Sequence, residues 1–371
     1  MSLFEVLGRT DPTPWLLASD EPAARWVTLT RLNGLAGDAP AAQSAHSDVM
    51  RGLGVQALLD RLPDWEADND ITGHDKPMCA TNLLNVLGDM GVREGDDPRI
   101  ARLLDHMLAH TDADGRFQMC ARERGHETPK WGALLCDTHA ITDVLLRFGR
   151  GQDSAVLRAL DTAREDLVQT AQGLAWPCRP DTGSSWRGPG RARDCCVQVT
   201  LEALRAFSRL PVESRPPELS EVAHTSLGVW RERAKVKPYM FGHGRQFKQV
   251  KWPPTWYGAY AVVDTFGRLP EVWSGANARP DDRRSLAEVA ACLLAYNVAA
   301  DGTVTPLSTF KGFESYSFGQ KKHPSPFATA MLWSVLKRVE PLADEIALID
   351  VATLGSSKGG TGAPMPPKVP A

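Results

Sequence analysis

Along most of the chain apolar residues recur every three or four positions, the spacing that places them on one side of an α-helix. The helices this predicts come back as one family: CATNLLNVLGDMG at 79–91, CDTHAITDVLLRFG at 136–149, CCVQVTLEALRAFS at 195–208 and PTWYGAYAVVDTFG at 254–267. The last three begin at 136, 195 and 254, a period of about 59 residues, which suits a helical hairpin with its loops. A second helix follows each copy: DDPRIARLLDHMLAH, SAVLRALDTAREDLVQ, PPELSEVAHTSLGVWRERA and DDRRSLAEVAACLLAYN. Asp97-Pro98 and Asp153-Ser154 read as helix starts, with a capping side chain ahead of the first turn. Glycine turns ahead of an apolar residue close the hairpins at Asp114-Gly115-Arg116-Phe117, Gln172-Gly173-Leu174-Ala175-Trp176 and Asp301-Gly302-Thr303-Val304. Looser copies, EPAARWVTLTRLNGL at 21–35 and PSPFATAMLWSVLKRV at 324–339, bring the first-type helices to six. The expected fold is all-α, an (α/α)6 toroid of helical hairpin repeats with a polar central cavity, because an open array needs polar caps at its ends. One domain is expected over 1–354, and the Gly- and Pro-rich stretch 355–371 reads as a flexible tail.

Superposing the four best copies separates two faces. Leu83, Leu87 and Met90, then Ile141, Leu145 and Phe148, then Thr200, Leu204 and Phe207, then Ala259, Val263 and Phe266 form an apolar stripe suited to packing on the second helices. The opposite stripe is polar: Thr81 and Asn85, His139 and Asp143, Gln198 and Glu202, Tyr257 and Ala261. In the expected ring these residues face the cavity, with Cys136, Asp137, Cys195 and Cys196 one turn earlier at its mouth. Such residues either hydrogen-bond one another across a wet bore or form the polar end of an active-site cavity.

Composition changes this picture little. The chain has 371 residues, a formal net charge of −3 and 43% hydrophobic residues, so global charge points to no nucleic-acid partner. No apolar run approaches the length of a membrane span, and MSLFEVLGRTDPTPW lacks an apolar signal core, so a cytoplasmic protein is expected. The seven cysteines are an odd number with no secreted framework and read as reduced thiols.

The hairpin array, the Gly-aromatic loops and Asp194-Cys195-Cys196 at the start of a first-type helix resemble the terpenoid cyclase and protein prenyltransferase superfamily, over roughly residues 20–340. In squalene-type cyclases an Asp-Cys-Thr-Ala-Glu element supplies the proton donor. Asp194 and Cys195 match its first two positions, and Cys196, Val197 and Gln198 replace the rest. In the prenyltransferases Asp-x-Cys and a later His hold zinc. That resemblance implies a possible zinc site at Asp194 and Cys196, with His139 or His243 as the imidazole, because Trp256-Tyr257 stand where the later His is expected.

A second feature is the basic, aromatic segment 235–260, which holds four lysines, Arg245 and His243 among several aromatic rings, with FGQKKHPSP at 318–326 as a second basic loop. Loops that lead into helix N-termini suit anions. Arg193, Arg245, Lys248, Lys251, Lys321 and Lys322 are therefore expected to bind a phosphate, diphosphate or carboxylate, alongside His243, Trp252, Trp256, Tyr257 and His74. The plainer reading is a solvated basic loop, and single-stranded nucleic acid, for which no motif speaks, is a third. The function expected is an enzyme for a partly apolar small molecule with an anionic group, a cyclase, isomerase, lyase or transferase. Its acid–base candidates are Asp194, Asp137, His139, Asp143 and Glu202. The alternatives are a non-catalytic ligand-binding toroid and a carbohydrate-active α/α-barrel using two opposed carboxylates such as Asp137 and Glu202.

Overall fold

In the computed structural model helix takes up 58% and strand 6% of the described residues, which are therefore mostly helical. The structure describes residues 1–63, 76–121, 130–179, 191, 193–236, 244–255, 258–275 and 278–354. The tail expected over 355–371 lies outside them, as do His74, His243, Trp256 and Tyr257. None of the described helices is long and apolar enough to cross a membrane, and all seven cysteines are free thiols. These residues divide into two compact units, one made of 57–88 with 92–229, the other of 1–56, 89–91 and the chain from 230 onward.

The unit built around 92–229 carries the regular hairpins. Its Pro98–Ala109 helix starts as the sequence predicts: Pro98 occupies the first turn, and the Asp97 carboxylate accepts from Arg99 N at 2.9 Å. The Leu135–Arg147 helix packs along Val197–Phe207, and Ile141, Leu145 and Leu204 of the expected apolar stripe are fully buried. Short antiparallel ladders form in the loops, Met119–Ala121 with Lys130–Gly132 and Val168–Thr170 with Gly173–Ala175. Gly173 has φ 134°, and a Cβ there would stand 2.4 Å from Thr225 Oγ1, so only glycine fits. The turn that Gly173 allows drops Trp176 into the core, where its indole N–H donates to Ala163 O at 2.7 Å. Asp166 ties two loops together: Arg116 grips both of its oxygens at 2.8 Å and Arg179 reaches one at 2.6 Å.

In the other unit the Pro22–Val27 helix runs into a π-turn over Thr28–Leu32 and packs with Pro40–Arg51 and Pro326–Arg338. The Ala259–Gly267 helix packs on Pro280–Asn297. Ser325 caps the Pro326 helix by accepting from Ala328 N at 3.1 Å. Buried indoles again pin turns, Trp333 on Gly302 O and Trp273 on Phe266 O, both at 2.7 Å.

Candidate functional site

Three positions spaced four apart share one helix face, and in the first-type helices those positions are unusually polar. The Leu135–Arg147 helix carries His139, Asp143 and Arg147 there, and Ala259–Gly267 with its C-cap carries Tyr260, Asp264 and Arg268. The Ala80–Asp89 helix carries Thr81, Asn85 and Asp89, and Val197–Phe207 with its following turn carries Leu201, Arg205 and Arg209. The last position in the six copies is Arg31, Asp89, Arg147, Arg209, Arg268 and Arg338.

In the 92–229 unit these side chains interlock between helices. Asp143 is fully buried and takes Arg209 Nε at 2.5 Å and Arg205 Nε at 3.1 Å, while Arg205 also holds Glu202 at 2.6 Å. Arg147 donates to Asn85 Oδ1 at 3.1 Å. Two guanidiniums, Arg205 and Arg209, thus share Asp143, and Arg205 bridges it to Glu202. One turn before Asp143 lies His139, 2% exposed, with its ring edge-on to Trp176 at 5.6 Å. Burial, opposed by the nearby Asp166 and reinforced by Arg116, pushes its pKa down to about 4, so the imidazole is neutral at pH 7. Its Nε2 is buried and meets no hydrogen-bond partner among the described residues.

At the other end of the same helices are the thiols. Cys196 stands before the Val197 helix and hydrogen-bonds Cys178, a contact that with burial drives its pKa up. Burial likewise raises Cys195 to about 11. Asp194 is partly exposed, and its carboxylate takes a long 3.4 Å bond from Gln172. Asp137 is buried in the first turn of its helix. Among the described residues no group of three or more His, Cys, Asp or Glu side chains is arranged to hold a metal ion. Asp194, Cys196 and His139 are thus not gathered as a metal site, and His243, the other imidazole the resemblance offers, lies outside the described residues. His139 meets the Trp176 ring edge-on, and Cys196 hydrogen-bonds Cys178.

In the other unit Tyr260 is 7% exposed and its hydroxyl is buried without a partner among the described residues, while burial first of all raises its pKa. Asp264, on the same face, pairs with Arg268 at 2.7 Å and with Arg338, and Arg31 reaches Asp89 at 3.3 Å.

The described residues of the expected basic rim are of two kinds, exposed and buried. Arg193, Arg245, Lys251, Lys321 and Lys322 are exposed, Lys251 lying 3.8 Å over the Phe310 ring. Trp252 is buried in the core, edge-on to Tyr260 at 6.1 Å. Lys248 is buried as well.

Of the sequence candidates, His139, Asp143 and Glu202 lie in or beside the arginine–carboxylate cluster, while Arg147, Arg205, Arg209, Tyr260 and Asp264 were not among the candidates. The i, i+4, i+8 repetition of polar residues was the available signal. No protein-family profile, curated protein or solved structure matches this chain.

Proposed function

We propose that the chain is an enzyme acting on a partly apolar small molecule with an anionic group, a phosphate, diphosphate or carboxylate, by acid–base chemistry of the cyclase, isomerase, lyase or transferase type. The observation that carries this reading is His139. A neutral imidazole whose buried Nε2 meets no hydrogen-bond partner among the described residues shares a helix face with an arginine–carboxylate cluster. In this reading Asp143 fixes Arg205 and Arg209 in place, and those two with Arg147 hold the anionic group. The same reading takes the hairpins as an (α/α)6 toroid of the terpenoid cyclase and prenyltransferase kind, its polar stripes lining a central cavity. The recurrence of the stripe in successive first-type helices supports it.

A thermal-shift comparison tests the ligand class with three probes: farnesyl diphosphate, inorganic diphosphate and farnesol. Farnesyl diphosphate is expected to raise the melting temperature saturably and more than either half-probe. Arg147→Gln, checked for unchanged helix content, is expected to weaken that response. No response to any probe, or an undiminished one in Arg147→Gln, contradicts the ligand class.

A further inference from the structure

Glu21 stands immediately before the Pro22–Val27 helix and is only partly exposed. Its Oε2 accepts from the Ser317 hydroxyl at 2.7 Å and from Phe327 N at 3.3 Å. Burial, opposed by those two hydrogen bonds, raises the pKa of this carboxyl group. Ser317 Oγ in turn lies 2.6 Å from Ser325 Oγ, and Ser325 accepts from Ala328 N at 3.1 Å. The proton of Ser317 is committed to the carboxylate, so Ser325 is the donor between the two hydroxyls. A directed chain results, from Ala328 N–H through Ser325 and Ser317 to Glu21, all within one unit of the molecule.

Helix capping explains Ser325, which is fully buried, and the bond from Phe327 N. It does not require a hydroxyl at Ser317. That residue is partly exposed and held between two buried rings, Tyr316 and Phe318, which stack at 5.1 Å. Tyr316 is itself fixed by its hydroxyl, which donates to Gly54 O at 2.8 Å. With one proton donated and one bond accepted from Ser325, the Ser317 oxygen keeps a lone pair for attack. A serine hydrogen-bonded to a base that a further group orients is the arrangement of an activated nucleophile.

We propose that Ser317 is a nucleophile toward acyl esters, with Glu21 as its general base and Ser325 as a positioning residue. Ser317 Oγ bonds to the ester carbonyl carbon while its proton passes to Glu21. The bond to the leaving alcohol breaks, Glu21 returns the proton to that oxygen, and an acyl-Ser317 ester remains. Water, deprotonated by the same carboxylate, then releases the carboxylic acid. Nothing in these steps requires His139.

Labelling of the full chain by an alkyl fluorophosphonate, in which a serine oxygen displaces fluoride from phosphorus, tests this with adducts mapped by peptide mass spectrometry. Ser317 is expected to carry the adduct in the folded chain and not in the urea-unfolded one. p-Nitrophenyl acetate should leave an acetyl group at the same residue and release p-nitrophenolate, and Ser317→Ala should lose both adducts. Glu21→Gln, checked for unchanged helix content, should slow labelling about a hundredfold, the lower range of general-base effects. No adduct on Ser317 in the folded chain overturns the assignment, as does equal labelling of the folded and unfolded chains. Undiminished labelling in Glu21→Gln overturns the role of that carboxylate as base.

Discussion

Burial holds the pKa of His139 near 4, against 6.5 for an ordinary imidazole. The unfolded chain takes up a proton at this residue as the pH falls through 6.5, and the folded chain does so only near 4. Stability contributed by the neutral ring is thus complete above 6.5 and is lost as the pH falls through that window, by up to about 3 kcal/mol. Urea unfolding at several pH values between about 7 and 5 reads this slope directly. His139→Gln is expected to flatten it, and a variant with the wild-type slope contradicts a neutral buried imidazole.

Between elements, Asp143 joins the Leu135–Arg147 helix to the turn end of Val197–Phe207 by two arginine contacts. Asp143→Asn keeps the shape and removes the charge that both arginines face. Breaking one side of a buried pair costs about 3–5 kcal/mol. Chemical denaturation should show a loss of that order, and an unchanged midpoint contradicts the interhelix role. Much at this scale was readable from sequence, because apolar spacing locates a helix and a capping Asp or Pro locates its start. The apolar positions Ile141, Leu145, Leu204, Val263 and Phe266 are all fully buried, as their spacing predicts. The polar face was read less well. The period of 59 residues places Tyr257 and Ala261 on it, whereas the ion-paired stripe of that helix is Tyr260, Asp264 and Arg268. A slip of three residues is nearly one helical turn and leaves the apolar match almost unchanged, so superposition of sequence copies cannot resolve it. Lys248 was legible as a basic residue but not as a buried one. Its burial comes from contacts with the Pro280–Asn297 helix, about 50 positions away in sequence, which local charge pattern does not encode.

For the whole molecule, two units of helical hairpins each carry charged stripes on their first-type helices and, at the head of one stripe, a buried polar tip: His139 in one, Tyr260 in the other. A chain built only for packing has no use for such groups, since apolar replacements of the same shape remove the desolvation cost. In the proposed function chemistry at these groups offsets that cost. The direct measurement is turnover: the purified full chain is incubated with a small-molecule extract, and substrate loss and product gain are followed by mass spectrometry beside His139→Gln, with folding of both proteins verified. The predicted result is at least one anionic, partly apolar compound consumed and a matching product formed by the wild-type chain, with both changes abolished in the variant. No time-dependent change with the wild-type chain, or the same change with His139→Gln, contradicts an enzyme working through this residue.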